Sequence, residues 1–363
     1  MTFINVDLRA VATNPYYFPS LLATNVSEPA ISFLSFDRVF QQKIFGPQVR
    51  AHKIADLPWE AFHEAGIYNK EKHSMYITSN FNQRTPEDNI NITIVSLDDY
   101  SITSTQFPNL WEANGGSSWY PPGSDTNKPA TYQVYCDEGD LEHYSSLVSV
   151  NPITNESTII LNNYLGRNFS SINDVRQHPH TGDLWFTDAA YGYFQFFRPV
   201  STIPQMVYRF APGTGELVVV ADGFDQPNGL EFSPDYKTLY VSDTGARHYD
   251  SNSTRPATIY AFDIDDAKRL SNRRTFAYID KGFPDGIHTD TAGNVWAACG
   301  DGVHVFDPAG KLLGKVFIGE TSNNFAFLPN GLLVFSNSRL WLVDGLNVLG
   351  REVCKDFGKG CGK

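Results

Sequence analysis

The amino-acid sequence predicts an all-β fold, a six-bladed β-propeller of four-stranded antiparallel blades around a central channel. Three observations carry that expectation. A polar residue recurs six times, at Glu64, Asn114, Asn173, Asn228, Asp285 and Asn324, about 40 to 60 residues apart, which is a propeller-like period. Five residues after five of these anchors stands a turn landmark: Asn69, His178, Ser233, Asp290 or Pro329. Between anchors, short β-rich runs alternate with Gly, Pro, Asn and Asp turns, and helical periodicity is nearly absent, the pattern of many antiparallel strands.

Residues 1 to about 55 hold one β-like run, ISFLSFDRVFQQKIF (31–45), too little for a blade. A ring must close, so residues 1–55 are expected to pack on the propeller and lend an outer strand to the last blade or cover an exposed edge. The propeller itself is expected over 56–350, with 351–363 as a C-terminal tail. Strand-turn-strand units are clearest in HPHTGDLWFTD (178–188) and SPDYKTLYVSD (233–243), with looser copies in NKEKHSMYITSN, HTDTAGNVWAAC and LPNGLLVFSNS. Hairpins such as MVYRFAPGTGELVVVAD follow them, punctuated by turn pairs like Pro212-Gly213 and Ala309-Gly310, and supply the outer strands.

Composition narrows the partners. With 41% hydrophobic and 14% aromatic residues the chain can fill a core, and no stretch reaches the roughly 18 to 20 apolar residues of a membrane helix. A formal charge of −12 argues against nucleic acid or anionic lipid, which need clustered cations. A neutral small molecule or a bound cation suits it, and a homodimer is compatible with it. Five Asn-x-Ser/Thr triplets, at Asn25, Asn91, Asn155, Asn168 and Asn252, favour a secreted glycoprotein. The start, MTFINVDLRA, lacks a basic region followed by an apolar one, so a signal peptide is expected to be absent or removed. Of the cysteines, Cys354 and Cys361 in CKDFGKGC could close a small loop under oxidising conditions, whereas Cys136 and Cys299 read as buried small hydrophobes.

In a propeller the innermost strand of each blade lines the channel, so anchors that precede it converge on one mouth and the landmarks lie on the opposite face. Glu64, Asn173, Asn228 and Asp285 then offer two carboxylates and two amide oxygens. That hard-oxygen set suits Ca²⁺; Mg²⁺, Mn²⁺ and Zn²⁺ fit it less well. The plainer reading is that each Asn or Asp beside Gly merely makes a turn. Asn114 and Asn324 complete the ring as substrate or water contacts, and Glu138 in CDEGD is placed to reach the pocket. His63 and His288 neighbour anchors and are candidate bases beside Asp285. Tyr191 opens the aromatic run YGYFQFF (191–197), which either walls a pocket or packs in the core. His178-Pro179-His180 falls at a turn on the far face, and no Gly-x-Ser-x-Gly elbow occurs.

Over roughly residues 60–345 the chain also resembles the senescence-marker/gluconolactonase family, particularly its secreted fungal lactonohydrolases. The likeness is densest in LNNYLGRNFSSINDVRQHPHTGDLWFTDAAYGYFQFFRPV and ADGFDQPNGLEFSPDYKTLYVSDTG, and continues in FPDGIHTD and CGDGVHVFDPAGKLLGKVFIG. The resemblance implies one Ca²⁺ at the channel mouth held by Glu64, Asn173, Asn228 and Asp285. It also implies hydrolysis of an aldonolactone or pantolactone, with the metal polarising the carbonyl and Asp285 taking the proton of the attacking water. One position departs from the family: an arginine often stands two residues before the Asn of Asn-Asp, and here that residue is Ser171. Two alternatives remain, an organophosphate or aryl-ester hydrolase on the same scaffold and a secreted propeller that only binds a partner.

Overall fold

The computed structural model describes residues 3–26, 31–81 and 90–358. Six antiparallel sheets form the blades of a ring. Their innermost strands are Glu64–Asn69, Ala113–Trp119, Ser171–Gln177, Pro227–Phe232, Ile287–Thr289 and Phe325–Leu328, numbered here blades 1 to 6. In blades 1 to 5 the next three strands in sequence follow outward, each paired antiparallel with the one before.

Blade 6 is completed from the other end of the chain. Its outer strand is Phe45–Asp56, which pairs antiparallel with Arg339–Leu346 and so joins the start of the propeller to its end. The β-like run at 31–45 is split rather than continuous. Ser32–Ser35 extends the edge of blade 5 and is joined there by Phe3–Asn5, Phe40–Ile44 forms one π-helical turn, and only then does the closing strand begin. The reason is packing: Phe40, Ile44 and Phe45 all reach one core cluster with Phe33 and Trp296, which the two-residue alternation of a straight strand cannot arrange.

Apolar faces meet between neighbouring blades. Val134 and Leu147 of blade 2 pack on Ile172 and Phe186 of blade 3, and Trp185 and Val207 of blade 3 pack on Leu230 and Val241 of blade 4. Corresponding clusters join blades 1 and 2, 4 and 5, 5 and 6, and 6 and 1. Burial is therefore distributed around the ring, and each inner strand is clamped from both sides. Cys136 and Cys299 lie free and buried in these clusters.

Residues 351–358 pack against the ring. Val353–Phe357 is a short helix whose Phe357 ring stacks on Tyr68 at 3.8 Å, while Asp356 accepts from the Ser118 hydroxyl. Arg351 pairs with Glu231 of blade 4. Cys354 is disulfide-bonded; Cys361, its expected partner, lies outside the described residues.

Candidate functional site

Every anchor lies at the start of an inner strand or just ahead of it. Glu64 opens the strand of blade 1, Asn114, Asn173 and Asn228 are within the first three strand residues, and Asp285 and Asn324 precede theirs. Two recurring devices hold them. The Asp ending the second strand accepts backbone N–H groups from the segment entering its own blade's inner strand: Asp137 from Glu112, Asp188 from Ser170 and Ser171, Asp243 from Gln226. A hydroxyl then reaches across to the next blade's anchor carbonyl: Thr78 to Asn114 at 3.0 Å, Thr187 to Asn228 at 2.8 Å, Ser242 to Asp285 at 2.8 Å.

The glycines after the anchors serve close approach rather than turns. A Cβ on Gly229 would sit 2.5 Å from the Asp285 carbonyl oxygen and 2.8 Å from the Ile287 nitrogen. One on Gly286 would collide with the Asn324 amide, 2.6 Å from its Nδ2. Neither glycine has a positive φ, so Asn-Gly and Asp-Gly here mark blade-to-blade contact.

At the channel mouth these residues floor a cavity of about 700 Å³ lined by His63, Glu64, Asn114, Glu138, Asn173, Tyr191, Asn228 and Asp285 among others. The floor is buried: Glu64 is 3% exposed and Asp285 6%. Asn324 Nδ2 donates to Glu64 Oε2 at 2.7 Å, and Asn323 Nδ2 donates to Asp285 Oδ2 at 3.2 Å. Asn228 Nδ2 donates to the Tyr191 hydroxyl at 3.0 Å and Asn173 Nδ2 to Glu138 Oε1 at 3.5 Å. The amide nitrogens are thus used, whereas the buried Oδ1 atoms of Asn114, Asn173 and Asn228 have no hydrogen-bond partner. Buried acceptors are rarely left so.

The carboxyls carry the same message. Burial, with the charges of Asp285 and Asp174, pushes Glu64 well above the usual carboxylate range. Burial raises Asp285 to about 7 despite hydrogen bonds from Asn323 and Asn228. Glu138 is pushed up to about 8 by burial and by Glu112. Burial lowers His63 to about 4. Its Nδ1 lies 2.9 Å from Asn337 Oδ1, which also accepts from Asn80 Nδ2, so Nδ1 carries the proton and Nε2 is the basic nitrogen.

Of the residues singled out from sequence, the mouth gathers Glu64, Asn114, Glu138, Asn173, Tyr191, Asn228, Asp285 and His63. Asn324 stands one layer behind, bonded to Glu64. His288 is deeper in the channel: Nε2 lies 3.2 Å from Asn324 Oδ1, and Nδ1 lies 3.7 Å from Glu352 and 3.8 Å from Glu231. Three residues further along blade 5 than Asp285, it faces the channel interior and not the cavity at the mouth. Asn323 and Asn337 also line the mouth; neither stands at an anchor position of the repeat, so the register gave no signal for them.

Two other features compete and are set aside. A larger cavity, about 950 Å³, opens on the far face between Tyr120, His180, Tyr236 and the C-terminal segment. Its charges are spent on one another, Arg209 and Lys268 on Asp183, and the buried amide oxygens without partners lie at the other mouth. His178 and His180 sit there beside Tyr236. Glu231, His288 and Glu352 could converge on an ion, but Arg176 and Arg351 already neutralise that group.

An oxygen-lined channel mouth on a six-bladed propeller defines the class, and comparison with known proteins agrees: residues 107–331 match the family described as the SMP-30/Gluconolactonase/LRE-like region. The chain belongs to this family. It is similar to lactonohydrolase oryL of Aspergillus oryzae, 39% identical over 201 residues that cover 50% of this chain and 45% of that protein. A gluconolactonase of Zymomonas mobilis is 32% identical over 206 residues, 52% of this chain and 54% of the relative. The chain thus spans about half the length of these two relatives. The structure of a Xanthomonas campestris gluconolactonase superposes with a TM-score of 0.70 at 24% identity, covering 86% of this chain and 94% of that one, which shows the shared fold.

Proposed function

We propose that the channel mouth binds one divalent cation, Ca²⁺ foremost, and hydrolyses a small lactone of the aldonolactone or pantolactone type. The observation that carries this is the floor itself: buried Asn173 and Asn228 oxygens without partners beside two buried carboxyls, Glu64 and Asp285, whose pKa values burial raises. Four hard oxygens in that state fit a hard cation and not a thiophilic one. The names of the relatives, a lactonohydrolase and a gluconolactonase, support the lactone as substrate.

A cation here would be held by Glu64, Asn173, Asn228 and Asp285 and would supply Lewis-acid polarisation of the lactone carbonyl. The chain's own groups do the rest. Asp285, or neutral His63 through Nε2, accepts the proton of a water whose oxygen bonds to the carbonyl carbon. The ring C–O bond then breaks and its oxygen takes up a proton, leaving a hydroxy acid. Glu138, whose pKa burial raises to about 8, is placed to hydrogen-bond the substrate, and Tyr191 is held beside Asn228 to do the same.

The test is an assay of pantolactone, aldonolactones and an aryl ester with chelator-stripped protein, before and after Ca²⁺ is added. Calcium-dependent lactone opening is expected, and Asp285→Asn should abolish it while preserving the fold. Failure of every lactone in the presence of Ca²⁺ sinks the reading. Secretion belongs to the same proposal, supported by a disulfide-bonded Cys354 and by exposed Asn25, Asn155, Asn168 and Asn252. Glycan mass analysis of the protein from a eukaryotic host tests it.

A further inference from the structure

We infer that the mouth cavity selects lactones whose ring carries an alkyl or aryl substituent over polyhydroxylated sugar lactones; this rests on the lactonase reading of the same site and narrows it from the aldonolactone towards the pantolactone type. The cavity has two unlike sides. Blades 6 and 1 contribute Asn80, Thr321, Asn323 and Asn337. Across the ring, loops of blades 3, 4 and 5 contribute Phe194, Phe196, His248, Tyr249 and Phe283, and Phe81 adds one ring from blade 1.

The aromatic side is built, not incidental. The Phe194 and His248 rings stack at 4.1 Å with 9° between planes, and Tyr249 leans on Phe194 at 6.2 Å. His248 is held in turn by Asp225 at 2.8 Å through Nε2 and by Arg255 at Nδ1. Phe196 has a φ of +68°, a conformation a bulky side chain seldom takes, and is 82% exposed. Tyr249 is 69% exposed. Strain and apolar exposure held together at a cavity rim point to a surface kept for a ligand.

The chemistry of that ligand follows from what the rings lack. Each hydroxyl of a sugar lactone gives up water on entry and must find a donor or acceptor, or the loss is uncompensated. Phe194, Phe196 and Phe283 offer none; the polar groups on this side are Gln195, Ser251, the Tyr249 hydroxyl, His248, which Asp225 and Arg255 hold, and Arg247, which donates to Ser251 Oγ at 3.1 Å. With the ester end on the Asn and carboxylate floor, a substituent on the ring's far side lies against the aromatic wall.

Hydrolysis-resistant γ-lactams bearing hydrogen, propyl or hexyl beside the ring nitrogen are titrated calorimetrically into the Ca²⁺-loaded protein, and matched γ-lactones and glucono-δ-lactone are run in a turnover assay. Affinity and kcat/KM should both rise roughly four-fold per methylene over the first few carbons, with glucono-δ-lactone the poorest substrate. Phe194→Ala and Phe196→Ala should each flatten the slope. A flat series, absent lactam binding, or a preference for glucono-δ-lactone overturns the inference. Lactam affinity that climbs with chain length while no lactone is cleaved upholds the apolar wall and rejects the lactonase reading.

Discussion

Replacing Gly286 by alanine tests how the carboxylates are held in place. The new Cβ would lie 2.6 Å from Asn324 Nδ2 and closer still to its Cγ and Oδ1. Asn324 is fully buried, so its amide must swing away or the strands of blades 5 and 6 must part. Swinging breaks the 2.7 Å bond to Glu64 Oε2 and the 3.2 Å contact with His288 Nε2. A hydrogen bond to a charged group is worth roughly 1.5–3 kcal/mol, so affinity for a cation at the mouth should fall about 10- to 100-fold. The overpacking itself should cost about 1–3 kcal/mol of stability. Calorimetric Ca²⁺ titration reads the first effect and chemical unfolding in chelator the second. Asn324→Ala, which removes the same bond without the strain, should reproduce most of the lost affinity. A folded Gly286→Ala protein and an Asn324→Ala protein that both bind Ca²⁺ as the parent does would mean that Asn324 does not hold Glu64 for the cation.

Further outcomes follow from the same geometry. Thr187→Val removes the hydroxyl that donates to the Asn228 carbonyl and accepts from the Asp174 nitrogen; urea unfolding should show about 1–3 kcal/mol lost, with weaker Ca²⁺ binding. Arg176→Met leaves Asp174, Glu231 and Glu352 facing one another in the channel, and losing the buried cation should cost about 3–5 kcal/mol. The pH dependence of the metal-free protein has a definite sign. Asp285, Glu64 and Glu138 have folded-state pKa values raised above their ordinary ones, so the folded state binds more protons than the unfolded one above about pH 4. In chelator, their contribution to stability should be full below pH 4 and decline as the pH rises toward about 7 for Asp285 and about 8 for Glu138. Saturating Ca²⁺ should flatten that decline in thermal melts; identical profiles with and without Ca²⁺ would show that no cation relieves these carboxyls.

The ring was legible because its blades repeat one register. Anchor and landmark five residues apart are the two ends of an inner strand, which is why the repeat alone places Glu64, Asn173, Asn228 and Asp285 at one mouth. The role of the strand-ending acids was not legible. Asp137, Asp188 and Asp243 look like turn residues, and only the fold shows their oxygens on the backbone N–H groups that carry the anchors. The same limit hid the hydroxyls of Thr78, Thr187 and Ser242, whose partners belong to the next blade. At the N-terminus, period-two reasoning gave one strand over 31–45, but Phe40, Ile44 and Phe45 share a core that only a helical turn can reach. His288 was placed at the mouth because it is close to Asp285 in sequence; depth along the channel, about one strand residue at a time, put it behind Asn324 instead.

The unpartnered oxygens at the channel mouth form the proposed cation site. Calorimetric titration of Ca²⁺ into chelator-stripped protein tests it most directly. One saturable site per chain is expected, with proton release near neutral pH as Asp285 ionises, and loss of that site in Asp285→Asn. Heat indistinguishable from buffer dilution, or a site that Asp285→Asn leaves intact, would contradict it.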